Sequence, residues 1–107
     1  MELQHGDVLI KTIKRLPAGV KSQQRENGRL VIMHGETTGH AHTITEKGAT
    51  VWILEKDGVS QMYLEVMEPV TITHEEHKAI PIPPGIYEIG QVKEYDYFQA
   101  MERKVID

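Results

Sequence analysis

The chain has 107 residues, 39% of them hydrophobic, which suits a single domain with a modest core. It has no cysteine, so disulfides and thiolate metal sites are excluded, and any metal must be held by imidazole, carboxylate or water. The net charge of −4, from 12 basic and 16 acidic residues, argues against a nucleic-acid partner, and no apolar run is long enough for a membrane helix.

The first seven residues contain no basic region followed by an apolar stretch. No secretory signal is read there, and a cytoplasmic location is the expectation. Residues 7–16 are rich in β-branched side chains and stop at Pro17, which predicts an opening strand. Its basic residues Lys11, Lys14 and Arg15 read as a solvated strand edge more readily than as a phosphate patch. Residues 20–26 are polar and weakly extended, as in an edge strand. Asn27-Gly28 is a hairpin signal, because both residues tolerate positive φ. Residues 29–34 then form a strand apolar on both faces, expected to be central.

A Gly-Glu-Thr-Thr-Gly turn (residues 35–39) leads into a predicted strand over 40–46. Residues 49–56 have buried-strand composition, and Asp57-Gly58 is a second hairpin signal joining them to 59–66. In that strand Met62, Leu64 and Val66 share one face. Residues 70–74 alternate, with His74 continuing the side of Val70 and Ile72. Residues 80–85 hold three prolines and cannot form a central ladder strand. Residues 86–92 resume a strand, and the tail from 93 to 107 is read as a last strand with a short amphipathic helix as the alternative. Met33, Met62, Met67, Trp52 and Phe98 are read as core. Tyr87, Tyr95 and Tyr97 are assigned to amphipathic packing ahead of a pocket wall. Eight to ten short strands with regularly spaced turns predict an all-β domain spanning 1–107. A small antiparallel barrel or sandwich, cupin-like or SH3-like, is favoured over a βαβ arrangement.

The functional signal is the distribution of histidine. Five of the six, His34, His40, His42, His74 and His77, fall in two segments, and only His5 lies outside them. On a strand, residues two apart point to the same side, so His40 and His42 would present their rings together, beside Ile44 and Glu46. Imidazoles so arranged can converge on one divalent ion if another strand supplies a third or fourth ligand. His74 or His77 is the expected partner, and the sequence does not choose between them. Glu46 or Glu36 is a candidate to complete the set. The donor set suits Zn, Fe, Mn or Ni, with added carboxylate shifting the balance toward Fe or Mn.

A structural account competes with this one. Histidines in a Thr-rich turn can simply bond backbone groups, those in Thr73-His74-Glu75-Glu76-His77 can pair with their own glutamates, and His34 can be a satisfied core residue. Gly35 and Gly39 are expected to supply the φ values of a tight turn rather than an anion-binding nest. Neither a nucleophile motif nor a phosphate loop is present.

Two resemblances bear on these residues. Gly35, four residues, His40-Ala41-His42, three residues and Glu46 resembles the first cupin motif, in which two His, a Glu and a later His hold a metal inside a small β-barrel. The first interval is one residue shorter than usual here. The Pro-x-Gly turn that precedes the later cupin histidine has its counterpart in Pro83-Pro84-Gly85, after His74 and His77. More broadly, Gly6-Asp7-Val8-Leu9-Ile10, the segment 35–42, His74-Glu75-Glu76-His77, Pro84-Gly85-Ile86-Tyr87 and residues 91–96 resemble a family of small bacterial proteins of uncharacterised function, which implies a shared fold and no particular activity.

The leading expectation is a cupin-like metal-binding β domain with His40, His42, His74 and His77 as ligands. If it is an enzyme, metal-bound water or dioxygen chemistry is the natural class. The second expectation is a non-catalytic module in which the histidines organise loops or a homo-oligomer interface. No small-molecule ligand and no membrane partner is read from the chain.

Overall fold

The computed structural model describes residues 1–35 and 37–92. Ten strands run in chain order: β1 (Glu2–His5), β2 (Val8–Ile13), β3 (Lys21–Ser22), β4 (Leu30–His34), β5 (Ala41–Ile44), β6 (Ala49–Lys56), β7 (Val59–Val66), β8 (Val70–Ile72), β9 (Ile80–Ile82) and β10 (Gly85–Gln91). Every pairing between them is antiparallel. The domain is all-β, and among the described residues no helix is long and apolar enough to cross a membrane.

Six strands make the main sheet, in the order β1-β2-β10-β7-β6-β3. Its inner face follows from period-2 alternation. Ile10 stands opposite Ile89, Ile89 opposite Met62 and Met62 opposite Ile53. One step along, Tyr87 faces Leu64 and Leu64 faces Val51. Two hairpins, β4–β5 and β8–β9, add Leu30, Ile32, Ile44, Val70, Ile72 and Ile82 to the same core. Each fully buried aliphatic of this kind contributes about 1.5–3 kcal/mol of transfer free energy.

The turns follow from local chemistry. Asn27 and Gly28 have φ of 53° and 80°, and Asp57 and Gly58 have 54° and 76°, the paired positive values of a two-residue hairpin whose twist matches its strands. The first closes Glu26 on Arg29, and the second joins β6 to β7. Tyr87 turns its hydroxyl onto the Pro83 carbonyl, which it bonds as donor at 2.5 Å. The proline segment forms β9, which among the described residues pairs only with β8 and so loses no ladder bond on its other side.

Several expectations need correction. The segment 29–34 is buried on both sides, but as half of a two-stranded hairpin and not at the centre of a sheet. A register shift between Val31 and Met33 breaks its alternation, and His34 emerges exposed, 4.0 Å from Glu26, rather than in the core. Met67 lies just past β7 and is exposed, because the chain turns there. The strand carrying Lys11 is interior to the sheet, since β1, a strand the sequence reading missed, pairs outside it and sets Glu2 opposite Lys11. Glu36, Tyr95, Tyr97, Phe98 and the expected last strand or helix lie outside the described residues.

The folding of the two hairpins over the sheet decides what happens to the histidines. β5 and β8 meet through Thr43 and Thr73, whose backbone N–H groups each donate to the other's carbonyl at 2.9 Å, with the hydroxyls 3.2 Å apart. That bridge sets the residues before β5 beside the loop after β8.

Candidate metal centre

Three chain segments meet at one end of the domain. The β1–β2 turn brings His5, Gly6 and Asp7, the start of β5 brings His40 and His42, and the loop between β8 and β9 brings His74, Glu75, Glu76 and His77. Gly6, Asp7, His40, His42, His74, Glu76 and His77 line an open cleft of about 450 Å³, together with Gln4, Gly35, Thr37 and Val92. His5 and Glu75 stand behind its wall residues, bonded to His42 and to the Ala41 N–H.

His42 is the centre of the arrangement. It is 1% exposed, among the largest fully buried side chains. Its ring centroid lies 4.4 Å from that of His74, 5.7 Å from that of His77 and 5.0 Å from that of His5. One ligand nitrogen from each of His42, His74 and His77 falls within 4.8 Å of the other two. A second set, His40, His74 and Glu75, meets the same criterion and shares His74 with the first. The histidines expected from sequence thus do converge, both members of the second pair reaching the first. His40 and His42 nevertheless fall into different sets. β5 begins only at Ala41, so the i, i+2 rule does not hold across His40. Glu46, the carboxylate expected to complete the site, is exposed beyond β5 and belongs to neither set.

Hydrogen bonding constrains the rings. His42 Nδ1 is 2.9 Å from His5 Nδ1, and His5 Nε2 is 2.9 Å from the Lys78 carbonyl oxygen. His42 Nε2 faces Asp7 Oδ1 at 3.3 Å, while Asp7 Oδ2 accepts from the Gln91 amide at 3.0 Å. His74 Nδ1 accepts from the Glu76 N–H at 3.0 Å. Glu75 Oε1 accepts from the Ala41 N–H at 2.9 Å, tying the loop after β8 to the first residue of β5. His40 Nδ1 is buried without a hydrogen-bond partner among the described residues, 3.7 Å from Glu76 Oε2.

The electrostatics favour the neutral form of the inner rings. Burial pushes His5 and His42 below the ordinary imidazole value, and the neighbouring histidines push the same way, against the Lys78 carbonyl at His5 and Asp7 at His42. Burial works to raise Asp7, but hydrogen bonding, led by the Gln91 amide and then its own backbone N–H, wins, and its carboxyl sits below the usual range. Glu75 is lowered as well, first by the Ala41 N–H. Neutral imidazoles beside ionised carboxylates are the protonation states that a cation needs.

Glycines make room for the rings. A Cβ on Gly35 would stand 3.0 Å from His74 Nε2 and 3.2 Å from the His40 Cβ. Of the two turn glycines, only Gly39, at φ +86°, supplies the left-handed conformation expected of both, and Gly35 is needed for close approach.

His5 and Asp7 were missed from sequence. The signal was Gly6-Asp7 ahead of an apolar alternating run, a tight turn that pairs His5 with Val8, puts Asp7 in the cleft wall and leaves His5 buried against His42.

No curated protein and no solved structure matches the chain. A family model described as a domain of unknown function, DUF8820, matches residues 4–91, which takes in all ten strands but the first residues of β1. On that match, the chain belongs to the DUF8820 family.

Proposed function

We propose that this domain binds a divalent metal ion through His42, His74 and His77, with His40 at the rim of the same cleft. The observation that carries the reading is the meeting of three imidazole nitrogens within 4.8 Å of one another around a buried His42. Packing alone gives no reason to gather five imidazoles at one end of a small β domain, since each brings a polar nitrogen that needs a partner. Three imidazole donors suit Zn first, with Fe, Ni and, through added carboxylate, Mn as the other candidates.

Three protein ligands facing an open cleft match the pattern of reactive sites more than that of closed structural ones, where a fourth side chain seals the ion. Such a site supplies a Lewis acid or an activated water. Asp7 and Glu76 are the carboxylates at hand to take a proton from a ligand in the cleft. In fold, the cupin-like or SH3-like barrel or sandwich reading rests on one sheet and two hairpins enclosing a common core.

One observation favours a second reading, in which the histidines only organise the loops. His74 Nδ1 already accepts the Glu76 N–H, so a neutral His74 carries its proton on Nε2. Ligation through Nε2 moves that proton to Nδ1 and breaks the bond, which is cheap in an exposed turn but not free. Elemental analysis and calorimetric titration of untagged protein separate the two readings. The metal reading expects one tightly held ion per chain, lost in His42→Ala and His77→Ala and largely kept in His40→Ala. Protein that takes up none of Zn, Fe, Mn or Ni supports the structural reading instead.

A further inference from the structure

We infer that His5 is a positioning residue: together with the Lys78 carbonyl it fixes His42 in the Nδ1–H tautomer and so presents the Nε2 lone pair to the cleft. The tautomer follows from the chain of hydrogen bonds itself, and its role in holding an ion rests on the metal reading above.

The argument is a count of protons. The Lys78 carbonyl oxygen can only accept, so His5 Nε2, 2.9 Å away, carries the hydrogen. With one proton per ring, His5 Nδ1 is then a bare lone pair. His42 Nδ1 lies 2.9 Å from it and must be the donor. The remaining nitrogen, His42 Nε2, is left unprotonated, 3.3 Å from Asp7 Oδ1, on a residue that lines the cleft with His74 and His77. The opposite assignment, with the His42 proton on Nε2 toward Asp7, either sets two lone pairs against each other at 2.9 Å between rings only 2% and 1% exposed or, with the His5 proton on Nδ1, sets the His5 Nε2 lone pair against the Lys78 carbonyl oxygen at 2.9 Å. The chosen tautomer has a cost of its own, because Nε2 then faces the Asp7 carboxylate, acceptor against acceptor, at 3.3 Å. A cation held by His42 Nε2 relieves that contact, and the same chain of bonds makes His42 a better donor to it.

His5 also joins the two halves of the site. Lys78 directly follows His77, so the bond from His5 Nε2 pins the end of the loop that carries His74 and His77, while Nδ1 holds the strand that carries His42. One side chain from β1 thereby sets the separation of ligands that lie more than thirty residues apart.

Long-range proton–nitrogen correlation of the histidine rings in metal-free protein, above the ordinary imidazole value of 6.5, reads the tautomers directly. The expected pattern is a protonated Nδ1 and a lone-pair Nε2 on His42, and the reverse on His5. A protonated His42 Nε2 overturns the inference, whether or not the protein binds metal. Zinc titrations then test the positioning role. His5→Phe fills the space but neither donates nor accepts, and it is expected to lose about 10–100-fold in zinc affinity. His5→Gln keeps one acceptor and one donor and is expected to restore most of that loss. His5→Phe binding zinc as tightly as the native protein counts against the role of His5. Zinc binding absent from the native protein counts against the metal reading alone, since the ring spectra still decide the tautomer.

Discussion

The backbone of Gly6 lies directly against the ring of His77: a Cβ at residue 6 would stand 2.7 Å from His77 Nε2 and 3.0 Å from His42 Cε1. Gly6 also holds φ at +59°, as the tight β1–β2 turn requires. Two demands therefore fall on one residue. The left-handed conformation alone costs an L side chain about 1–2 kcal/mol. Gly6→Ala is expected to lower stability by more than this, and to weaken metal binding as His77 is displaced. Gly58→Ala is the control, since Gly58 has φ +76° and open space around it. Urea midpoints of the two variants, and zinc affinities of both, check the difference. Equal losses in the two would show that the approach to His77 is not tight.

Loading the site should stabilise the fold by mass action. At a free zinc concentration a hundredfold above the dissociation constant the gain is about 2.7 kcal/mol. The expected result is a melting temperature that rises with zinc and returns to the metal-free value with a chelator. In His42→Ala the zinc-dependent part should vanish. Emptying this position also removes a ring packed in the interior, so the metal-free variant should melt lower than the native protein.

Metal-free protein should lose stability as pH falls below about 6.5. His5 and His42 are both lowered from that value in the fold, so the unfolded chain takes up protons first. In the interval between the folded and unfolded values the unfolded state binds more protons, and stability rises with pH there and falls toward acid. Their contribution is thus complete above about 6.5 and is lost as pH drops through the depressed native values. Denaturation midpoints across this range check the sign. A midpoint that rises on acidification would contradict the burial of these rings as neutral groups.

Ligation through His74 Nε2 has a local signature, because it costs the bond from the Glu76 N–H to His74 Nδ1. The Glu76 amide resonance should shift on zinc addition and its hydrogen exchange should quicken, while the Ala41 amide, held by Glu75 at 2.9 Å, stays protected. An unchanged Glu76 amide at full occupancy would mean that His74 does not use Nε2.

Away from the site, Leu64 is fully buried between Tyr87 of β10 and Val51 of β6. Leu64→Ala is expected to cost about 2–5 kcal/mol by chemical denaturation. Trp52, whose indole N–H donates to Glu65 at 3.1 Å, offers a fluorescence probe of that transition on a neighbouring strand.

Much of the fold was legible one residue at a time. Asp57-Gly58 announced its hairpin and Asn27-Gly28 a tight turn, because few other pairs reach positive φ twice in succession. The Asn27-Gly28 turn closes only Glu26 on Arg29, since β3 pairs with β6 and β4 with β5. The strands 49–56 and 59–66 were read with the bounds they have, since buried β-branched runs between turn signals leave little freedom. His34 was misread because alternation assumes unbroken register, and the irregularity in β4 follows from its pairing with β5 and not from its own sequence.

For the site, the sequence by itself determined which donor groups are on offer: a chain without cysteine, with imidazoles gathered into two short segments beside glutamates. It could not determine which of them meet. His5 seemed the odd histidine out by position, yet it is bonded to both halves of the cluster, because β1 folds back on β2 and the two hairpins close over the sheet. Spacing along a strand governs only neighbours on one element, whereas the distances between His5, His42 and His77 are set by hydrophobic burial that draws three separate elements together. That packing belongs to the whole chain, and no local pattern encodes it.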